Sequence, residues 1–163
     1  MTPHNGAAEG DSSDEIIDAL LTASRLLVAI SARSIAQVDE TITIPQFRTL
    51  VILSSRGTVN VATLAGLLDV QPSTTGRMVE RLVAAGLISR RAHPDSRREL
   101  MVELTPRGQE VVRAVTAHRR EEIARVVAAM PQRERHGLIR TLTAFTTAGG
   151  EPATRLEVDG YLM

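Results

Sequence analysis

The chain has 163 residues, a formal net charge of zero and no cysteine. It is therefore about one domain in size, with no disulfide framework, thiol nucleophile, thiol redox switch or cysteine-based metal site. Three aromatic residues (Phe47, Phe145, Tyr161) in a 43% apolar chain fit an aliphatic, helix-rich core and argue against a base-stacking single-strand binder.

Residues 1–11 are small, polar and aperiodic, and read as a disordered arm. Ser12 followed by Glu15 matches a capping box. Ile16, Leu20, Leu27, Ile30 and Ile35, with Ile17, Leu21 and Val28 beside them, then draw an apolar stripe to about Gln37, a long first helix. Pro45 suits the first turn of a second helix through Leu53, ended by Gly57, and Asn60 can cap a third from Val61 to about Leu68. After the turn Asp69-Val70-Gln71, Pro72 opens a fourth helix from Ser73 to Ala85, stopped by Gly86.

Residues 87–91 and 100–104 read as two strands around the turn His93-Pro94-Asp95-Ser96. Thr105 as N-cap and Pro106 open a long helix carrying Val111, Val112, Val115, Ile123, Val126 and Val127. Pro131 starts another, with Leu138, Ile139, Leu142 and Phe145. After Gly149-Gly150 the tail has no helical period, and Leu156, Val158, Tyr161 and Leu162 suit an extended strap whose place the sequence leaves open. No apolar run approaches the roughly 18 residues that span a bilayer. The N-terminus lacks a basic n-region and an apolar h-region, so a cytoplasmic protein with no membrane partner is expected.

All 19 basic residues are arginine, and they are unevenly spread. Between Ser73 and Arg98 stand Arg77, Arg81, Arg90, Arg91, Arg97 and Arg98 against Glu80 and Asp95, a local charge of +4 in a neutral chain. Such a concentration is the footprint of an anionic partner, double-stranded DNA first. Two short helices across a tight turn, an arginine-bearing second helix and a hairpin compose a winged helix-turn-helix. At 100° per residue Met78, Val79, Leu82 and Val83 share one side of the fourth helix. Ser73, Arg77, Glu80, Arg81 and Ala84 share the other, free to enter a major groove. Ser73, Thr74 and Arg77 at its N-terminal end suit phosphates and a guanine edge.

The run Asp95-Ser96-Arg97-Arg98-Glu99-Leu100-Met101-Val102-Glu103-Leu104-Thr105-Pro106-Arg107-Gly108 resembles the wing signature of the MarR family of bacterial transcription regulators. Ile44-Pro45-Gln46-Phe47, Leu64-Ala65 and the run from Arg77 to Ile88 are similar to that family too, so the resemblance extends from about Ser13 to Ala148. It implies a symmetric homodimer whose terminal helices interlock, with two recognition helices on a pseudo-palindromic operator and wings in flanking minor grooves. It also implies an effector, a small and often aromatic anion held between the lobes, with no pocket residue fixed by a motif. Residue by residue, Arg97 takes the position that enters the minor groove and Asp95 that of the acid orienting arginines around the wing. Guanidinium suits the enhanced negative potential of a narrow A·T-rich groove. Arg90, Arg91 and Arg98 flank the tip as phosphate contacts, and Asn60 caps the third helix whether or not it touches phosphate. Gly76 stands where the family often has threonine or another side chain, and Met130 where a serine often caps the last helix.

Catalysis has poor support. His4, His93, His118 and His136 are scattered, with no zinc-binding helix motif, phosphate-cradling glycine loop or serine elbow beside them. The expectation is a mainly α protein that is not an enzyme and uses no cofactor. An arm over 1–11 precedes a winged-helix domain over 12–148, with a DNA-binding lobe at about 45–104 between dimerisation helices at about 12–37 and 105–148. A tail, 149–163, follows. The resulting function is a ligand-responsive repressor of transcription. A winged-helix protein-interaction module without DNA is the alternative, and a helical-bundle enzyme a more distant one.

Overall fold

A computed structural model describes residues 7–151, with side chains from Ser13 onward except that of Arg97. The first six residues of the expected arm and residues 152–163, which hold the expected strap, lie outside the described residues. In chain order the elements are α1 (Ala7–Val38), α2 (Ile44–Arg56), β1 (Val59–Asn60), α3 (Val61–Leu68), α4 (Pro72–Ala84), β2 (Ile88–His93), β3 (Ser96–Leu104), α5 (Pro106–Ala129), α6 (Gln132–Arg135) and α7 (Leu138–Ala148).

Local chemistry accounts for most of these boundaries. The Thr43 hydroxyl accepts from the Gln46 N–H at 3.3 Å while the Gln46 side chain accepts from the Thr43 N–H at 2.9 Å, a reciprocal box that starts α2. Asn60 Oδ1 accepts from the Thr63 N–H at 2.7 Å, the expected cap of α3. Gly86, at φ 74°, turns the chain out of α4 in a conformation that costs glycine little. The Thr105 hydroxyl donates to the Gly86 carbonyl at 2.7 Å and accepts from the Gly108 N–H at 3.0 Å, joining the root of the wing to the first turn of α5.

Three expectations need correction. α1 begins at Ala7, so Ser12 lies inside the helix and is not its cap. Ala7, Ala8 and Glu9 are good helix formers, and a search for an apolar stripe cannot see a polar first turn. The hairpin gains a third strand, because β1 pairs antiparallel with β3 through Val59↔Val102 and Asn60↔Met101, giving the order β1-β3-β2. Two residues are too few to alternate visibly. The single helix expected from Pro131 is divided into α6 and α7 by His136-Gly137, where Gly137 has φ 79°. The left-handed conformation ends one helix before the next can begin.

The core joins Phe47, Leu50 and Leu53 of α2 to Leu64 of α3, Val79 and Leu82 of α4 and Val102 of β3. Val111, Val112 and Val115 of α5 and Ile35 of α1 close it. α5 approaches so tightly that a Cβ on Gly108 would collide with the Leu87 carbonyl oxygen. Further along, α1 and α5 are tied by Arg33 on Glu122 at 2.6 Å, and this bond holds the Glu122 carboxyl below the usual carboxylate range. α7, by contrast, buries none of its residues.

Candidate nucleic-acid interface

α4 divides cleanly by exposure. Thr75, Val79 and Leu82 are buried, and Met78 and Val83 are half-buried. Ser73, Thr74, Arg77, Glu80, Arg81 and Ala84 are exposed. Thr75 is an anchor that the apolar pattern omitted, although it stands one turn before Val79. Its hydroxyl satisfies itself on the Gln71 carbonyl at 3.2 Å, which lets a polar residue sit in the core. Thr49, wholly buried on α2, reaches the Met78 sulfur at 2.9 Å and fixes α4 from behind. Gln71 gives no side-chain cap and Pro72 has no N–H. The first-turn N–H groups of Ser73 and Thr74 are thus left to a partner beyond the helix end, where the helix dipole favours negative charge.

The sheet sorts the wing arginines. In the ladder Arg90 stands opposite Val102 and Arg91 opposite Met101, so the pleat sends the two side chains to opposite faces. Arg90 joins Arg98, Asn60, Gly76 and Glu80 around a cavity of about 270 Å³ between the start of α3, α4 and the sheet. Arg91 lies on the far face, 3.5 Å from Glu103, which also accepts from the Thr58 hydroxyl at 2.8 Å. Glu103 as a partner was missed in the sequence because its approach to Arg91 depends on the register of β2 on β3, and its bond from Thr58 on the pairing of β1 with β3. Gly76 is not required by packing, since a Cβ there would meet nothing within 4 Å.

At the wing tip β2 and β3 lose step. Ala92 pairs with Leu100 and His93 with Ser96, so Arg97, Arg98 and Glu99 have no partner in that register. A bulge of this kind re-aims side chains away from the ladder. The turn is held by the Asp95 N–H, which donates to His93 Nδ1 at 3.1 Å. Asp95 is exposed, and its carboxylate makes no ion pair among the described residues. Nor do Arg77, Arg81, Arg90 or Arg98, all exposed. The side chain of Arg97 is outside the description. Four free guanidinium groups with the Ser73 and Thr74 hydroxyls can form charge-assisted hydrogen bonds to a polyanion.

A family model described as MarR family matches residues 42–100, the stretch from before α2 into β3. Among solved structures, RV1404 from Mycobacterium tuberculosis is 72% identical, with 88% of this chain and 98% of that chain covered at a TM-score of 0.82. The Staphylococcus aureus MepR F27L mutant bound to an oligodeoxyribonucleotide is 20% identical, with 82% and 96% covered and a TM-score of 0.60, a likeness of fold. A curated relative, the uncharacterized HTH-type transcriptional regulator YfiV of Bacillus subtilis, is 23% identical over 104 residues, or 64% of this chain and 65% of the relative's length. With the winged lobe matched by the family model and nearly the whole of a 72% identical chain superposed, this protein belongs to the MarR family of winged-helix transcription regulators.

Proposed function

We propose that the chain binds double-stranded operator DNA as a homodimer and represses transcription by occupying a promoter. The observation that carries this reading is the outward face of α4, with Arg77 and Arg81 unpaired, set beside a basic wing in a chain of zero net charge. In this reading Ser73, Thr74 and Arg77 reach base edges, and Arg81, Arg90 and Arg98 hold phosphates. Arg97 enters the minor groove while Asp95 and Asn60 position the elements around it. Arg91, already engaged by Glu103, is the arginine with least charge to offer. The exposed apolar residues Ile16, Leu21 and Val28 of α1 and Ile139, Leu142 and Phe145 of α7 favour a second copy, with an interface above about 2,000 Å² in total. A two-fold dimer would set half-sites about 10 bp apart. A small aromatic anion between the lobes is the effector class, and the cytoplasm the compartment. No described helix is long and apolar enough to cross a membrane.

Titrating fluorescent promoter duplexes at several salt concentrations tests the reading. Arg77→Ala should cost about 1–3 kcal/mol and relax preference at one base in each half-site. Arg90→Ala should weaken all sequences alike and lower the salt slope by about one, and Arg97→Ala should abolish preference for A·T-rich flanks. Binding with no salt dependence, or none to any duplex selected from genomic fragments, would leave a protein-interaction module in its place.

A further inference from the structure

We infer, on the DNA-binding reading above, that Glu80 is a specificity-determining residue whose carboxylate accepts from the N4 amino group of a cytosine in each half-site, a base contact that reading leaves open. Glu80 is the one acid of α4, which also carries Arg77 and Arg81. It is exposed, on the side away from the buried Thr75, Val79 and Leu82. Counting about 100° per residue from Ser73, Arg77 falls about 40° to one side and Glu80 about 20° to the other, whereas Arg81 and Thr74 stand about 80–100° away. Ser73, Arg77 and Glu80 thus share the line of the helix that would meet the floor of a groove. The helical rise sets Glu80 about 10 Å from Ser73, a span of about three base pairs, so the three side chains can address adjoining pairs. One turn either side of Glu80 stand Gly76 and Ala84, and a Cβ on Gly76 would meet nothing within 4 Å. Neither neighbour carries a side chain long enough to hold a base edge away from the carboxylate.

The carboxylate is also uncommitted. Among the described residues it makes no ion pair, although Arg90 and Arg98 line the same cavity. An ionised carboxylate only accepts hydrogen bonds, so a surface that carries one into DNA loses affinity unless the group meets a donor. At the major-groove edge guanine presents O6 and N7 and thymine O4, all acceptors. Adenine sets its N7 acceptor beside the N6 amino group, while cytosine offers the N4 amino group with no acceptor next to it. Cytosine is therefore the base that accommodates Glu80, and the other three are rejected by acceptors facing an acceptor.

Fluorescence anisotropy of the full chain tests this, on an operator selected from genomic fragments and on duplexes in which each C·G pair, in either orientation, is changed in turn to T·A. At one pair in each half-site the change should weaken wild type about tenfold. Glu80→Ala should bind the C·G and T·A duplexes alike there while keeping the base preference that Arg77→Ala loses. Glu80→Gln should move the preference to A·T, since an amide can accept from N6 and donate to N7 of adenine. Indifference of the wild type to every C·G change overturns the inference, as does a preference that survives Glu80→Ala. So does a rise in affinity by the same factor for every duplex on Glu80→Ala, the mark of an acid that only repels phosphate. In these three cases salt-dependent binding by the wild type leaves the DNA-binding reading standing, whereas no wild-type binding to any duplex removes both.

Discussion

α3 and α7 are both short, amphipathic helices, and they meet opposite fates. α3, with eight residues, buries Leu64 and Ala65 among α2, α4 and the sheet. α7, with eleven, buries nothing and leaves Ile139 83% and Phe145 54% exposed. An apolar stripe says that a face needs cover and not where the cover comes from. The winged lobe, with α5 set into it, completes its core within one chain, whereas α7 and the first half of α1 leave apolar faces that this chain does not cover.

The sharpest way to break this comparison is to shorten one leucine in each region. Leu82→Ala, at a core position, should cost about 2–5 kcal/mol in denaturant unfolding. Leu142→Ala should change the stability of the dissociated chain by less than about 0.5 kcal/mol and raise the concentration at which the chain self-associates. A dilution series by light scattering reads the second effect. Equal losses of stability in dissociated chains would mean that α7 is already packed.

Next in size is Gly108→Ala, which forces a methyl into the Leu87 carbonyl where α5 enters the winged lobe, with an expected loss of about 1–3 kcal/mol. Gly76→Ala should act with the opposite sign, because its site in α4 is open and its backbone is ordinary helix. A gain of about 1 kcal/mol is expected in thermal unfolding. If both glycines lost stability on substitution, the tight and open parts of the winged lobe would be wrongly assigned.

The smallest effect belongs to the α1–α5 seam. Arg33 lowers the pKa of Glu122, so the pair's stabilisation is present above the ordinary carboxylate range and is lost as pH falls through the lowered folded value. Wild type and Arg33→Ala should therefore differ in unfolding midpoint at neutral pH and converge as pH falls below the ordinary carboxylate range. A constant difference across that range would assign the effect to packing of the arginine stem.

The winged lobe was legible because its signals are local. Asn60, Thr105 and Pro106 are caps within a turn of what they cap, and Gly57 and Gly86 are stops at the ends of apolar runs. The arginines of α4 and the wing were found by charge alone. Their sorting was not legible, since the opposite faces of Arg90 and Arg91 and the Arg91–Glu103 pair alike depend on the register of β2 on β3. The break at Gly137 was hidden by good helix formers on both sides. The buried Thr75 was hidden because a hydroxyl enters a core only with a partner, and that partner is a backbone carbonyl no composition reveals.

The Thr105 hydroxyl, bonded at once to Gly86 and Gly108, pins the chain where the wing leaves α4 and where it returns to α5. Everything between is an excursion hung from a closed ring. Residues added or removed around Pro94-Asp95 would lengthen or shorten its reach without disturbing the packing at its base, and closure entropy rises only slowly with length. Wing span and core stability can therefore vary separately in descendants of this sequence, one set at the tip and the other at the root.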